Sequence, residues 1–240
     1  APLELPDSSS IVVVPGDERH GVPWSGLPSL AHRSVALSPS CRLWLDADRR
    51  SSVQVTTVGY VAGPNFADDL ERNALRRHHV RVDEATGAGA TTATVRAMLG
   101  GHDLVHIAAH GRFRADRPLL STLELADGEV ALHESVPPRV AAKLAVLSSC
   151  EGGAHLGTGG SEVLGLASVL LAPLTVVRDL ECGEFVAEVH AELASGTRFG
   201  AAVAAVRSRW LVENDLSRWA VASSFTCFGS GATHVAPHAR

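Results

Sequence analysis

Two short stretches of this sequence end in residues that can do covalent chemistry. HIAAHG ends in His110 followed by Gly111, and LAVLSSCEGG carries Cys150 ahead of a glutamate and two glycines. A free thiol, with a pKa of about 8.5, is mostly protonated at neutral pH, and a nearby imidazole shifts it toward the nucleophilic thiolate. The residue types are therefore those of a base, His110, and a nucleophile, Cys150.

The glycines after both residues favour acyl transfer. They let a substrate backbone approach, and the N–H groups of Gly111 and Cys150 are suited to hold the oxyanion of a tetrahedral intermediate. Buried cysteines at strand ends are also common, and most of them are inert. From spacing alone, a catalytic thiol and a core thiol both stay open.

The segments around these motifs alternate between strand and helix patterns. Apolar runs bounded by Gly, Pro or Ser predict strands at SSSIVVV, RSVALSPS, SSVQVTTVGYVAGPN, VRVDEAT, HDLVHIAAHG, AAKLAVLSSC and SSFTCFGSG. Helical spacing is found in CRLWLDADRR, FADDLERNALRRHH, TTATVRAMLGG, GGSEVLGLASVLLA, GEFVAEVHAELASG and GTRFGAAVAAVRSRWLVEN. PLLSTLELADGEVALHES predicts a hairpin that turns at Asp127-Gly128.

This alternation predicts an α/β fold, with a mostly parallel sheet covered by helices on both faces. In such sheets function collects at the carboxyl ends of the strands. If the two motif strands are neighbours, His110 and Cys150 lie within side-chain reach of each other. We therefore expect these two strands to be adjacent.

The wider sequence around the motifs resembles a known family. HIAAHGRFRADRPLLSTLELADG, followed by LAVLSSCEGGAHLGTGGSEVLGLASVLLA, resembles the CHAT family of bacterial caspase-like proteins, which are often joined to tetratricopeptide repeats. Further similar segments are IVVVPGDERHGVPWSGLP, VALSPSCRLWL, AAVAAVRSRW and SSFTCFGSG. The resemblance covers nearly the whole chain and implies a caspase/separase-like α/β fold.

The resemblance also implies cysteine endopeptidase chemistry on a protein or peptide substrate. The catalytic histidine of the family matches His110 and its cysteine matches Cys150, and the N–H of Gly111 helps to hold the oxyanion. Ser148, two positions before the cysteine, is expected on the floor of the substrate pocket. A tetratricopeptide-repeat region or a partner protein is expected to regulate the activity.

The family's loop that lines the pocket for the residue before the cut matches PLTVVRD, which ends in Asp179. Thr175 stands where this loop often has a tryptophan. An inward, unpaired Asp179 favours a lysine or arginine before the cut, whereas an inward or pairing Arg178 favours an apolar or acidic residue. An equal alternative for Asp179 is a helix N-cap before LECGEF.

The sequence departs from the family pattern at Ala172-Pro173. A turn and a hydrophobic strand, together about six to ten residues by ordinary element lengths, are expected at this junction and are absent from it. Losing a central strand would disrupt a parallel sheet. Two explanations stay open: a stretch missing from the sequence, or a degenerate domain with an altered substrate pocket.

Composition excludes several classes of protein. The 240 residues are 45% hydrophobic, carry a net charge of −5 without a basic cluster, and contain no apolar run of bilayer length. We therefore expect no nucleic-acid or membrane partner. Four cysteines without CxxC spacing indicate a reducing, cytoplasmic compartment.

We expect one domain over residues 1–240, with an N-terminal pseudo-caspase half to about residue 85 and a catalytic half from about residue 86. The chain begins APLELPDSSS, without an initiator methionine or a signal-type segment, which favours a piece of a longer protein.

Rival sites are weaker. His102, His106 and His110 are spaced like metal ligands on a helix, but the segment is too short and too β-rich for a helix. We expect no metal and no cofactor, with His106 as a hydrogen-bonded core residue. GTGGSE lacks the lysine of a phosphate-binding loop, so a plain loop is favoured. Cys41, Cys182 and Cys227 are expected to be bystanders.

Two functions from different classes remain. The first is a regulated cysteine endopeptidase with the dyad His110 and Cys150, and the second is a catalytically silent interaction module that keeps the fold and has lost the pocket. The presence of both catalytic residue types favours the endopeptidase.

Overall fold

The structure is a computed structural model that describes residues 10–15, 19, 21–49, 52–66, 69–79, 81–112, 122–149 and 169–236. Cys150 and its glycine loop lie outside these residues. The same holds for residues 159–168 of the helix predicted at GGSEVLGLASVLLA and for the GTGGSE loop that overlaps its start. The strands are β1 Ile11–Val13, β2 Val35–Leu37, β3 Ser52–Gln54, β4 Val58–Ala62, β5 Val82–Thr86, β6 Leu104–Ala108, β7 Gly111–Arg112, β8 Thr122–Leu125, β9 Gly128–Ala131, β10 Leu144–Ser148, β11 Val169–Pro173, β12 Phe225–Gly229 and β13 His234–Ala236.

Helices connect and cover these strands. They are α1 Cys41–Asp48, α2 Asp69–His78, α3 Thr92–Gly101, α4 Asp179–Ala194, α5 Phe199–Leu211 and α6 Leu216–Ser224. Three of them begin at side-chain caps that the sequence supplies, at Ser40, Thr91 and Asp215. The Ser40 hydroxyl accepts the amide N–H of Leu43 at the start of α1, and the Thr91 hydroxyl accepts that of Thr94 at the start of α3.

The central sheet has eight strands within the described residues, in the order β1-β2-β12-β11-β10-β6-β4-β5. The neighbours from β11 to β5 are all parallel, and β12 runs antiparallel to β11. β7, β8 and β9 form a small antiparallel sheet, and β13 pairs with β3. The predicted α/β fold with a mostly parallel sheet is confirmed.

A hydrophobic core lies on each face of the sheet. On one face the strands pack against α2, α4, α5 and α6, with Leu75, Phe185, Trp210 and Val221 in the same cluster. On the other face α3 packs with the small β8–β9 sheet in a second cluster. Because alternate residues of a strand face opposite sides, each central strand contributes to both cores and reads as a continuous apolar run.

The two motif strands are neighbours, as predicted. β6 and β10 pair in parallel register, from Leu104 opposite Leu144 to Ala108 opposite Ser148. The hairpin of β8 and β9 is confirmed as well, with Gly128 in the positive-φ conformation at its turn.

The helix predicted for GGSEVLGLASVLLA is wrong at its end. Val169–Pro173 is a fully buried strand, β11, between β10 and β12. The strand expected at the Ala172-Pro173 junction is therefore present, because the apolar residues at the end of the predicted helix form it. Helix propensity is a weak local preference, and the pairing of these residues with β10 and β12 outweighs it.

One further prediction is corrected. SSVQVTTVGYVAGPN forms two strands, β3 and β4, because Thr56 and Thr57 between them bind the carboxylate of Asp103. Helix α2 spans Asp69–His78 and exposes Leu70, whereas its buried face carries Glu71 with Ala74 and Leu75. A charged residue thus lies on the buried face of this helix.

Candidate active site

The candidate site lies at the carboxyl edge of β6 and β10. Hydrogen bonding between these strands continues one step beyond their ends, because the amide N–H of Ala109 donates to the carbonyl of Ser148 at 3.1 Å. His110 follows Ala108 by two residues, and Cys150 follows Ser148 by two residues. The two predicted catalytic residues therefore have the same offset from the last paired residues of adjacent parallel strands.

The imidazole of His110 is held by the turn that follows β4. Its Nε2 lies 3.3 Å from the carbonyl oxygen of Asn65, and its ring lies 5.4 Å from the ring of Phe66. Asn65 adopts φ 60°, a left-handed conformation that asparagine tolerates better than most residues. With Nε2–H donating to this carbonyl, Nδ1 keeps its lone pair and is free to accept a proton.

Asp179 approaches His110 from the other side. Its Oδ2 lies 4.0 Å from Nδ1 of His110, and both side chains are 36% exposed. Asp179 is the first residue of α4, whose N-cap position is Arg178, so the N-cap alternative for Asp179 is wrong. A carboxylate in the first helical turn is favoured by the helix dipole.

Arg178 does not pair with Asp179. Its guanidinium lies 3.1 Å from Oε1 of Glu181 and 3.3 Å from the hydroxyl of Ser217. The carboxylate of Asp179 is therefore not neutralised by its neighbour in the sequence, and it faces His110.

The remaining predicted residues surround this centre. Gly111 begins β7 and pairs with Leu123 of β8. The amide N–H and hydroxyl of Thr175 both donate to the hydroxyl of Ser224 at 2.9 Å, which anchors the start of the predicted pocket loop to the end of α6. Ser148 is completely buried, and its hydroxyl contacts Glu71 and Cys182.

A shallow depression opens beside the imidazole. Its volume is about 130 Å³, and its lining residues are His110, Gly111, Thr122, Glu124 and Glu129. Glu124 and Glu129 are opposite each other across β8 and β9, so one side of the depression is acidic. Among the described residues no three His, Cys, Asp or Glu side chains are grouped to hold a metal ion, and no helix there is long and apolar enough to cross a bilayer.

A family model of the CHAT domain matches residues 1–230. This chain belongs to the CHAT domain family. A sequence comparison with curated proteins gives no match.

Solved structures of cysteine peptidases with caspase-like folds resemble this CHAT domain. Separase from Saccharomyces cerevisiae, in complex with securin, has a TM-score of 0.64 at 17% identity, and the match covers 92% of this chain and 15% of the separase chain. The complex of the pro- and mature domains of Porphyromonas gingivalis RgpB has a TM-score of 0.59 at 12% identity, with 84% of this chain and 56% of that one covered. The Arg-specific cysteine proteinase gingipain R has a TM-score of 0.58 at 10% identity and covers 85% and 56%. At these identities the likeness shows the fold.

Sequence reasoning about this CHAT domain missed two contributors to the site. Asn65 is marked only by the turn sequence Gly-Pro-Asn, which says nothing about a contact 45 residues along the chain. Glu71 sits in a charged helical segment, DDLERNALRRHH, that is typical of a solvated face. Asn65 contacts His110 and Glu71 contacts Ser148 only because α2 and the turn after β4 pack against the sheet.

His106 is a hydrogen-bonded core residue, as predicted. It is completely buried, with Nε2 at 2.8 Å from Oε2 of Glu71 and Nδ1 at 3.1 Å from Nε2 of His190. Its ring stacks on that of His190 and meets the ring of Tyr60 edge-on.

Proposed function

We propose that this CHAT domain is a cysteine endopeptidase in which His110 and Cys150 form the catalytic dyad. The observation that carries the proposal is the register of β6 and β10, which gives the two residues the same offset from the paired residues Ala108 and Ser148. In neighbouring parallel strands, two residues that follow a paired position by the same number of residues lie side by side. The imidazole and the thiol are therefore expected within reach of each other.

The surroundings of His110 suit a general base. Its Nε2–H is directed at the carbonyl of Asn65, so Nδ1 is the nitrogen that accepts the thiol proton. The imidazolium that results is stabilised by the Asn65 carbonyl and by the carboxylate of Asp179, 4.0 Å away.

The reaction follows from these roles. The thiolate of Cys150 attacks the peptide carbonyl carbon, and the N–H groups of Gly111 and Cys150 hold the oxyanion. The C–N bond then breaks, and the leaving amine takes the proton from His110. Water, deprotonated by His110, hydrolyses the thioester and returns the thiol.

The substrate pocket that we propose is formed by residues 174–179. Ser148, which was expected at its floor, is completely buried with its hydroxyl on Glu71 and Cys182, so it offers no surface to a substrate. Asp179 carries an uncompensated charge in the proposed pocket because Arg178 is engaged by Glu181 and Ser217. An acid at this place favours a lysine or arginine before the cut, because the charge pair is desolvated once the substrate is bound. Thr175 is fixed to Ser224 and holds the base of the loop.

We further propose that a protein partner controls the activity. The separase match is a complex with securin, and the RgpB match is a complex with its own pro-domain. In this chain the corresponding regulator is expected to be a partner protein or a tetratricopeptide-repeat region.

A peptide probe with a basic residue and a thiol-reactive group tests the proposal. We expect covalent labelling that is lost in Cys150→Ala and kept in Cys41→Ala, whose thiol is exposed and serves as the matched control. Mass spectrometry of the labelled protein identifies the modified residue. Absence of Cys150-dependent labelling under every activating condition would instead support the silent interaction module.

A further inference from the structure

A buried carboxylate joins the two strands that end at the candidate site. Glu71, on α2, is completely buried. One of its oxygens lies 2.8 Å from Nε2 of His106 on β6, and the other accepts the hydroxyl of Ser148 on β10. One side chain thus contacts both strands on the face covered by α2 and α4.

The network continues into α4. The hydroxyl of Ser148 lies 2.9 Å from Sγ of Cys182, and Nδ1 of His106 lies 3.1 Å from Nε2 of His190. Both Cys182 and His190 belong to α4, the helix that begins at Asp179. The carboxylate of Glu71 is therefore linked to the three segments that carry or precede His110, Cys150 and Asp179.

The protons of this network can be placed so that each has an acceptor. Burial and the neighbouring His106, His79 and His78 hold the pKa of His190 well below its usual value, so His190 is neutral. Its Nε2–H donates to Nδ1 of His106, and Nε2–H of His106 donates to Glu71. The Nδ1 of His190, which has no hydrogen-bond partner in the described part of the chain, is then a bare lone pair rather than a buried N–H.

Stability alone does not account for a carboxylate in this place. Removing a carboxylate from water is costly, and apolar side chains of similar volume usually fill such a site at no loss of stability. A fully bonded polar network instead fixes one arrangement of the groups that it joins. Here those groups lie two and four residues before the predicted dyad.

We propose that Glu71 is a positioning residue for the peptidase reaction, an inference that rests on the proposed function. The main-chain ladder holds β6 and β10 side by side, and its last bond joins Ala109 to Ser148. Beyond that bond, the distance between the two strand ends and the helices that cover them depends on side-chain contacts. The carboxylate of Glu71 holds β6 and β10 at the same distance from α2, so that His110 and Cys150 face each other.

Two variants test this in the full-length protein. Glu71→Gln replaces one oxygen by an NH₂ group, so one of the two strands loses its acceptor. We expect kcat to fall about 10- to 100-fold with KM changed by less than about twofold, as for a small displacement of reacting groups. Ser148→Ala removes only the β10 contact, and we expect a smaller fall, about 5- to 10-fold.

Ser230→Ala is the matched control for Ser148→Ala. Ser230 is also a completely buried serine whose hydroxyl donates to a carboxylate, that of Asp48 at 2.9 Å. It follows Gly229, which pairs with Val169 at the amino end of β11, so it lies at the opposite edge of the sheet. The control is expected to lose thermal stability like Ser148→Ala while kcat stays within about twofold of the wild type.

The pH dependence of Cys150 alkylation separates positioning from simple destabilisation. If the tips move apart, the alkylation rate should rise at higher pH, with a midpoint closer to that of a free thiol, about 8.5. A wild-type midpoint and kcat in folded Glu71→Gln and Ser148→Ala would overturn the positioning role and leave the proposed function standing. If wild-type protein shows no Cys150-dependent reaction, both proposals fail; if Glu71→Gln does not fold, Ser148→Ala and its control decide.

Discussion

The two edges of the central sheet are bonded differently. At the amino edge the carboxylate of Asp103 accepts the N–H and hydroxyl groups of Thr56 and Thr57 and, at 2.8 Å, the ammonium of Lys143. These residues immediately precede β4, β6 and β10. One carboxylate thus joins the starts of three neighbouring strands.

At the carboxyl edge the predicted base is bonded loosely. His110 has a 3.3 Å hydrogen bond to Asn65 and a 4.0 Å approach to Asp179, and its side chain is 36% exposed. The carboxylate of Asp103 is hydrogen-bonded on several sides and stabilises the sheet, whereas the imidazole of His110 keeps a nitrogen available for the proposed reaction. Substitutions at the two edges should therefore separate into effects on stability and effects on turnover.

The largest expected effect is the loss of His110. His110→Ala should lower peptide turnover by at least about 10³-fold, because the thiol loses its base and the leaving amine loses its acid. The melting temperature should hardly change, since the imidazole is partly exposed and weakly bonded. His102→Ala is the control at the other end of β6, where His102 bonds Asp83 at 3.0 Å, and equal loss of turnover in both variants would contradict the comparison.

A smaller effect is expected at Asp179. A panel of fluorogenic peptides, varied only at the residue before the cut, should show that Asp179→Asn lowers kcat/KM for lysine and arginine about 10- to 100-fold. Peptides with neutral residues there should lose less. An unchanged preference profile would exclude Asp179 as the determinant and leave it with its contact to His110.

Two glycines give a matched pair of packing changes. A Cβ on Gly63, directly after β4, would lie 2.5 Å from the carbonyl oxygen of Glu124, whose amide N–H donates to the carbonyl of His110. A Cβ on Gly200 would clash with Ser34 and with the backbone of Gly231, beyond the amino edge of β11. Each glycine-to-alanine change should cost about 1–3 kcal/mol in the free energy of unfolding.

Only Gly63→Ala should also lower turnover beyond what its unfolded fraction explains. Urea titrations and peptide assays on both proteins make the comparison. Equal specific activity per folded molecule would show that the β8 backbone does not support the candidate site.

The smallest effect is expected at Asp103. Burial by itself raises the pKa of this carboxyl, but the hydrogen bonds from Lys143, Thr56 and Thr57 outweigh it and hold the pKa below its usual range. Asp103→Asn should cost about 1–2 kcal/mol at pH 7, since the partly exposed Lys143 adds little. Turnover per folded molecule should be unchanged.

The pH dependence of this effect has a definite sign. Because the pKa of Asp103 is lower in the folded chain, its stabilisation is complete above the unfolded value of about 3.9 and is lost as the pH falls below it. The difference in melting temperature between wild type and Asp103→Asn should therefore shrink from pH 7 to pH 3. A difference that stays constant would mean that the charge of Asp103 is not what stabilises the fold.

The sequence predicted the parallel motif strands because their signals are local. Each strand is a run of five residues, all buried except the half-buried Ala145 of β10, and polar residues and glycines follow soon after it in the sequence. Their adjacency was expected because chemistry collects at the carboxyl ends of strands, and a dyad needs two such ends side by side. The register that aligns Ser148 with Ala108 lies beyond such signals, since it depends on the whole sheet.

The sequence could not predict β11 or Glu71. Leu170, Leu171 and Ala172 of β11 have good helix propensity and continue a helical pattern, and only the place between β10 and β12 makes them part of a strand. Glu71 is polar in a segment that is typical of a solvated helix, and only its partners His106 and Ser148 make its burial possible. In both cases contacts between residues far apart in the chain outweighed local preference.

The position of β12 has a consequence for biosynthesis. Phe225–Gly229 is among the last described strands in the chain, yet it lies between β2 and β11. During translation, β1 and β2 emerge early but cannot join the rest of the sheet until β12 has left the ribosome. Until then β2 and β11 each lack a neighbour on one side, and unpaired strand edges favour aggregation.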